Sequence, residues 1–402
     1  MFVLVIFCLT LAFVVKLLID KSRDTETFRF SYTSIDVSRW LRPGTSYCSG
    51  NYVTYSRRFF KLTSAVYDQK RDRFSIPCSY SYPWNNPRHQ EYLGLYGEYA
   101  PKRYSKRLNF YSAKPHPIQQ DGVTNITVAI FREYPHNFFH AMTQWYNVFL
   151  LSKLLKFDPK TITILLLDRG PTVHIDIQWN HLYKRVLKTS HIQQPVYFGN
   201  VVFNLAGHES LMYYFNLNQL PFVEEFSKYF MDAFNLSNIK FFSCSNISVT
   251  LVLRRDYFMY PGDVASRRNT ERKFLNEAEL VRTLHEQFPG HDVRTLVAED
   301  LDLKEQLKIM TTTDVLIGMH GCVLSQILFL PPHAMVLEMY PIFWERKMFF
   351  SSIARWRNIQ HEVWQNDVEE HEVRANCSTF VPIRVFREYA QHVKQTFKCT
   401  SI

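Results

Sequence analysis

Residues 314–341 read DVLIGMHGCVLSQILFLPPHAMVLEMYP, and the order of apolar runs and turn residues in this stretch decides the fold. Asp314–Ile317 and Met335–Glu338 are short apolar runs of strand type, Gly318 and Gly321 flank His320 where the first run ends, and Pro331-Pro332 interrupts the chain before the second. The spacing predicts strand, Gly-His-Gly turn, helix near Val323–Phe329, loop and second strand, which is a parallel crossover. In an open α/β sheet, ligands bind beyond the carboxyl ends of the strands. There a glycine lets backbone N–H groups approach an anion, and the following helix adds a favourable dipole. His320 either faces that ligand or serves only its own turn, and the stretch alone leaves the two readings level.

The alternation continues on both sides. Toward the carboxyl end the pattern predicts strand Val249–Leu253, helix Asn276–Gln287, strand Val293–Val297, helix Leu303–Met310, then the crossover, helix Phe343–Arg355 and strand Gln360–Val363. Toward the amino end it predicts strand Ile126–Ile130, a long helix Asn137–Leu155, and strands Ile162–Asp168 and Val196–Phe203. Strand alternating with helix implies parallel, doubly wound, Rossmann-like sheets, so the expectation is two α/β lobes with a cleft between them. Expected boundaries are a hydrophobic segment at 1–20, a stem and irregular aromatic-rich region at 21–110, one lobe at 111–240, and a second lobe with its tail at 241–402.

Composition constrains the class. With 402 residues, 46% of them apolar and 16% aromatic, the chain has ample material for more than one core. The first nineteen residues are apolar apart from Thr10 and Lys16 and would span roughly 27–29 Å as a helix, enough for a thin bilayer. Such a segment is a signal peptide or a signal anchor. The lack of a small-x-small site after Lys16 favours an uncleaved anchor. Four N-x-S/T sequons, at Asn125, Asn235, Asn246 and Asn376, follow it and argue for a lumenal body carrying N-glycans. In that compartment cysteines pair, and proximity along the chain suggests Cys48–Cys78 and Cys377–Cys399, leaving Cys244 over. The net charge of +10 would suggest nucleic acid as a partner in a cytosolic protein; behind a membrane segment it suits phosphate-bearing donors, acidic glycans or a membrane surface.

Three groups of residues carry chemistry. SVTLVLRR places Arg254 and Arg255 at a strand's carboxyl end, and a guanidinium fork suits a diphosphate. Asn276 with Glu279 has the form of a helix capping box preceded by Arg272-Lys273. Arg132-Glu133-Tyr134-Pro135-His136-Asn137 leads from a strand into a helix whose first turn carries His140, which is either a general base for an acceptor hydroxyl or a buried histidine in a satisfied hydrogen bond. Asp300-Leu301-Asp302 has a D-x-D form that can hold a metal, but it precedes LKEQLKIM and most simply caps that helix, so no metal is expected.

These motifs together resemble glycosyltransferase family 61, whose members include core β-1,2-xylosyltransferases and EGF-domain-specific O-GlcNAc transferases. GMHGCVLSQILFLPPHAMVLEMYP matches the family's G-x-H-G…F-L-P…E signature, ERKFLNE its R-[KR]-x-[IL]-N-[EQ] box, and REYPHNFFHAMTQWY its R-E-Y…F-H segment. The resemblance implies a GT-B fold, a UDP-sugar donor (xylose or GlcNAc), inversion at the anomeric carbon, a glycoprotein or N-glycan acceptor, and a type II membrane protein of the Golgi or endoplasmic reticulum. By the same match Arg255 and Arg272 neutralise the diphosphate, Gly318, His320 and Gly321 bind donor phosphate or sugar, Glu338 holds ribose or base, and His140 activates the acceptor. Two departures stand out: Gln144 replaces an acidic residue of the family, and Cys322-Val323-Leu324-Ser325 replaces A-G-L-T. The first makes a catalytically inactive, glycan- or glycoprotein-binding relative the rival reading, with a basic nucleic-acid binder third.

Overall fold

The computed structural model describes residues 32–56, 58–78, 108–109, 122–204, 207–236, 240–258 and 264–399. The expected membrane segment at 1–20 lies outside them, and among the described residues no helix is long and apolar enough to cross a membrane.

The first sheet contains β1 (Pro43–Tyr47), β2 (Tyr52–Tyr55), β3 (Phe59–Asp68), β4 (Arg73–Ser75), β5 (Leu108–Asn109), β6 (Val123–Ile130), β7 (Thr163–Leu166), β8 (Arg185–Lys188) and β9 (Val196–Phe203). Its main path runs β1-β2-β3-β9-β6-β7-β8. Strands β9, β6, β7 and β8 are mutually parallel, whereas β3, β2 and β1 extend the sheet antiparallel from β9. The residue types follow that division. Thr163–Leu166 is buried at every position, as a parallel strand covered on both faces requires, while Phe59–Asp68 mixes buried and half-buried positions. Strands β1–β4 stand where an irregular region was expected; the aromatics there form stacked cross-strand pairs such as Phe60–Phe203, with ring centroids 4.3 Å apart. Helix α1 (Phe138–Leu155) crosses from β6 to β7, and α2 (Ile177–Leu182) from β7 to β8. Because β9 returns to the other side of β6, the direction of winding reverses between β6 and β9.

Helix α3 (Val223–Ala233) leads to the second sheet, whose strands are β10 (Ser248–Leu253), β13 (Asp292–Val297), β14 (Val315–Met319), β15 (Met335–Tyr340) and β16 (Gln360–Gln365). Between β10 and β13 lie a short ribbon, β11 (Tyr257–Phe258) with β12 (Arg267–Arg268), and helix α4 (Glu277–Gln287). Helix α5 (Leu303–Met310), a 3-10 helix at Cys322–Phe329 and α6 (Phe349–Trp356) make the remaining crossovers. Hairpin β17 (Glu372–Val373) with β18 (Ser378–Thr379) and helix α7 (Ile383–Phe397) follow. All pairings in this sheet are parallel, in the order β13-β10-β14-β15-β16, so its reversal of winding falls between β10 and β14.

Two local expectations change. The segment read as an α-helix near Val323–Phe329 is a 3-10 helix, in which the Ser325 hydroxyl bonds back to the Cys322 carbonyl three residues earlier. Asn276 does not cap α4 with its side chain: its amide is held by the backbone N–H and carbonyl of Val381 and by Glu279.

The halves are joined through α6. Trp356 Nε1 donates to the Leu217 carbonyl at 3.0 Å, Arg355 Nη2 donates to the carbonyls of Phe215 and Leu217, and Ser227 Oγ reaches the Leu328 carbonyl at 2.9 Å. Disulfides join Cys48 to Cys78, as expected, and Cys244 to Cys399, which corrects the expected Cys377–Cys399 pair. Helix α7 returns its end to the start of β10, where Phe397 packs on Phe242 at 4.6 Å, so the distant Cys244 becomes the neighbour; Cys377 stays a free thiol. Of the sequon asparagines, Asn235 and Asn246 are exposed and Asn125 and Asn376 are half-buried.

Candidate functional site

The second sheet's reversal of winding brings the ends of β10 and β14 side by side, and the conspicuous residues of both strands meet there. Gly321 lies so close to Arg254 that a Cβ built on the glycine would sit 1.8 Å from Arg254 Nη1. Absence of a side chain is what lets the guanidinium rest on the turn. Arg254 Nε donates to the Glu271 carbonyl at 2.9 Å. Arg272 approaches from the next loop in a left-handed backbone conformation, φ 60°. Its Nε donates to the His320 carbonyl at 2.9 Å and its guanidinium lies 4.1 Å from the centre of the Trp344 ring. Burial, and then repulsion from Arg254, lower the Arg272 pKa to about 10. A buried guanidinium whose charge is disfavoured by burial and by a second arginine, and offset only by the exposed Glu271 carboxylate 3.7 Å away, forms a site that a further anion relieves.

Arg255 is placed differently from expectation. It forms a bidentate pair with Glu277 at 2.6 Å through each nitrogen, turned toward the start of α4. Consecutive residues leaving a strand point to opposite sides, so only one of the pair reaches the turn, and it is Arg254. Gly318 is closely packed: a Cβ there would meet Val252 Cβ at 3.1 Å and Leu324 Cδ2 at 3.4 Å.

Glu338, expected to hold ribose or base, is wholly buried beside His320. His320 Nδ1 donates to Glu338 Oε1 at 2.5 Å, Tyr340 donates its hydroxyl to the same oxygen at 2.8 Å, and His361 Nε2 donates to Oε2 at 2.9 Å. Burial pushes the carboxyl pKa upward, but the hydrogen bonds from His320 and His361 outweigh it and the net shift is downward, so the group is ionised. With both oxygens engaged, Glu338 is a positioning group that fixes the His320 ring, which also stacks on Tyr340 with centroids 4.8 Å apart. Asp302, the other acidic candidate, caps α5 by accepting from Glu305 N at 2.8 Å while Glu305 reaches back to Asp302 N. Among the described residues no three His, Cys, Asp or Glu side chains group as metal ligands.

The first sheet builds its half in the same way, at the ends of β6 and β9. Arg132, buried, clamps the loop after β6 by bonding Asp168 through Nε and Nη2 and Asp176 through Nη1. Asn137 caps α1 by accepting from Phe139 N and His140 N. His140 thus stands at the head of α1, its Nδ1 2.7 Å from the Tyr213 hydroxyl. Burial first, then His208 and His136, lower its pKa to about 4, so the imidazole is neutral. Burial raises the Tyr213 pKa, keeping that group a phenol. Glu133 is buried, with an oxygen 3.7 Å from His208 Nε2. Glu133 lies in the R-E-Y segment but was given no role there, and His208 and Tyr213 carry no motif; the signal that locates all three is their place beyond the ends of β6 and β9, next to the reversal of winding. Gln144 is buried, with Nε2 donating to the Phe131 carbonyl at 3.1 Å.

One layer of rings separates the two halves. From His320 the chain of contacts passes to Phe350 at 5.0 Å and Phe349 at 6.5 Å, from Phe349 to Phe139 at 5.0 Å, and from Phe139 to His140 at 5.9 Å. Arg268 of the ribbon reaches electrostatically to His136, whose pKa is lowered by burial and then by this arginine. The arrangement therefore offers paired cations on a glycine turn facing, across an apolar wall, a neutral imidazole at a helix start.

A family model described as glycosyltransferase 61 matches residues 82–337. A β-1,2-xylosyltransferase of Arabidopsis thaliana is 22% identical over 286 residues, covering 61% of this chain and 52% of that protein. An EGF domain-specific O-linked N-acetylglucosamine transferase of Drosophila melanogaster is 39% identical over 100 residues, covering 25% of this chain and 19% of that protein. The chain thus spans about half the length of the first relative and about a fifth of the second. Among solved structures, an aspartate transcarbamoylase of Trypanosoma cruzi covers 61% of this chain and 85% of its own at 10% identity, with a TM-score of 0.14 that carries no argument.

Proposed function

The chain belongs to glycosyltransferase family 61, and on that premise we propose that it is an inverting glycosyltransferase with a GT-B arrangement, transferring xylose or GlcNAc from a UDP-sugar to a glycoprotein acceptor. The observation that carries the reading is the crowding of Arg254 and Arg272 on the His320-Gly321 turn, opposite the neutral His140. Inverting transfer needs cationic stabilisation of a departing diphosphate and a base for the acceptor, and the reading is supported by two arginines near one reversal of winding and a neutral histidine near the other.

In the reaction the acceptor oxygen attacks the anomeric carbon from the face opposite the leaving group. The bond from that carbon to the diphosphate breaks, and its electron pair stays on the β-phosphate oxygen beside Arg254 and Arg272. The acceptor proton passes to His140 Nε2. That requires the tautomer in which Nδ1–H donates to the Tyr213 oxygen. A base with a pKa of about 4 is weak, and the negative donor bound nearby raises it toward the working range. His320 is held by Glu338 through Nδ1, which leaves Nε2 as the nitrogen this reading assigns to the donor. No resident metal enters this scheme, since the arginines supply the positive charge and Asp302 is committed to its cap.

Gln144 bears on the inactive-relative reading. Its amide donates to a backbone carbonyl, a contact an ionised acid could not make, which supports a reading in which residue 144 fixes the loop after β6 and His140 carries the proton transfer. We further place the body in the lumen of the Golgi or endoplasmic reticulum behind a type II anchor, a reading supported by the apolar start and the four sequons. The test is incubation of the whole protein with a panel of UDP-sugars and glycoprotein acceptors. Transfer of xylose or GlcNAc is expected, and UDP binding without turnover on any acceptor would favour the inactive relative.

A further inference from the structure

One residue of the turn before α1 has no role in that scheme, yet it occupies the most open position beside His140. Tyr134 has φ 45°, and its carbonyl accepts from Asn137 N at 2.8 Å to close the turn that launches the helix. A left-handed conformation costs a residue with a side chain roughly 1–2 kcal/mol, and a glycine would make the same turn without that penalty. The chain nevertheless puts a large ring there. The residue is 57% exposed, and its ring lies against His140, with centroids 4.7 Å apart at a tilt of 40°. The neighbouring Phe139 ring is buried, so Tyr134 supplies the open aromatic face of the cluster.

Around this face stand polar groups of the right kind. His136 is half-buried next to it, His208 lies 6.0 Å from His140 ring to ring, and Arg268 of the ribbon stands within electrostatic reach of His136. An apolar plate edged by hydrogen-bonding groups matches a pyranose, which has one face of C–H bonds and a rim of hydroxyls. A serine or threonine side chain has no such face.

We propose that Tyr134 is the floor of the acceptor subsite and that the acceptor is a sugar ring laid on it, presenting a hydroxyl to His140, rather than a bare serine or threonine of a peptide. The inference rests on the glycosyltransferase reading, and its test reads binding so that it does not depend on turnover. The whole protein, saturated with UDP, is titrated with the trimannosyl-chitobiose core oligosaccharide and, separately, with an unglycosylated EGF-like domain, using wild type, Tyr134→Phe and Tyr134→Gly. The glycine variant keeps the turn and removes the ring, so its folding is not at risk.

Wild type and Tyr134→Phe are expected to bind the oligosaccharide alike, and Tyr134→Gly roughly tenfold more weakly, with UDP affinity unchanged in all three. Equal oligosaccharide affinity in Tyr134→Gly, no oligosaccharide binding by wild type, or tighter binding of the bare domain than of the oligosaccharide would each overturn the proposal. Failure of the underlying glycosyltransferase reading has a different signature, since it would appear as loss of UDP binding or of transfer in wild type.

Discussion

Replacing Gly321 by alanine tests whether the glycine turn exists to seat a guanidinium. A Cβ at this position would lie 1.8 Å from Arg254 Nη1, 3.0 Å from its Cζ and 3.6 Å from Nη2. The colliding group is the end of a flexible side chain, and Gly321 itself has φ 176°, extended backbone that alanine adopts freely. The fold therefore tolerates the change, and what is lost is the guanidinium's position over the turn. A hydrogen bond to a charged group contributes about 1.5–3 kcal/mol, so UDP should bind about 10–150-fold more weakly. Titration calorimetry with UDP, paired with thermal unfolding, measures both quantities. The reasoning also demands non-additivity, because Gly321→Ala in an Arg254→Ala background should weaken UDP no further. Unchanged UDP affinity in Gly321→Ala, or an equal loss with and without Arg254, would refute it.

Three further outcomes follow from the geometry. Glu338→Ala leaves His320, His361 and the Tyr340 hydroxyl without their shared acceptor in a buried pocket, and urea unfolding should show a loss of about 3–5 kcal/mol, against a smaller one for Glu338→Gln. His140 has a folded pKa of about 4, below its unfolded value, so protons bind the unfolded chain more tightly. Its stabilising contribution is complete above about pH 6.5 and is lost as pH falls toward 4, with about 2 kcal/mol gone by pH 5. Urea unfolding of wild type and His140→Gln at pH 7 and pH 5 isolates that term; equal pH dependence in both would contradict it. Cys244→Ser opens a disulfide spanning 155 residues and should cost about 2–5 kcal/mol, whereas Cys377→Ser removes a free thiol and should leave the unfolding midpoint within a degree or two.

Much of the second sheet was legible because its signals are local. The apolar run Val315–Met319, the Gly-His-Gly turn and the Pro-Pro break each announce themselves within a few residues, and β10, β13, β14, β15 and β16 all fall where the pattern put them. Residue roles were harder, because partners come from elsewhere in the chain. Arg254 and Arg255 are indistinguishable in sequence, and the choice between them depends on Gly321 and Glu277, which the fold brings up from different elements. Glu338 at a strand end reads as a ligand contact until His361 arrives from β16 to occupy its second oxygen. The expected Cys48–Cys78 pair is local and is found, whereas Cys377–Cys399 failed for the same reason, since α7 carries Cys399 back to Cys244. The strands at 43–75 carried a visible signal that aromatic density obscured: FFKLTSAVYD, Phe59–Asp68, is rich in the β-branched and aromatic residues of a strand.

The central claim is that His140 takes the acceptor proton while residue 144 only supports the loop. The most direct measurement is the rate of sugar transfer to one acceptor by wild type, His140→Ala and Gln144→Asp, with UDP affinity recorded for each. The account predicts a fall in kcat of roughly 10²–10⁴-fold for His140→Ala at unchanged UDP affinity, and no gain from Gln144→Asp. A wild type that binds UDP-sugar without turnover, together with activity created by Gln144→Asp, would contradict it.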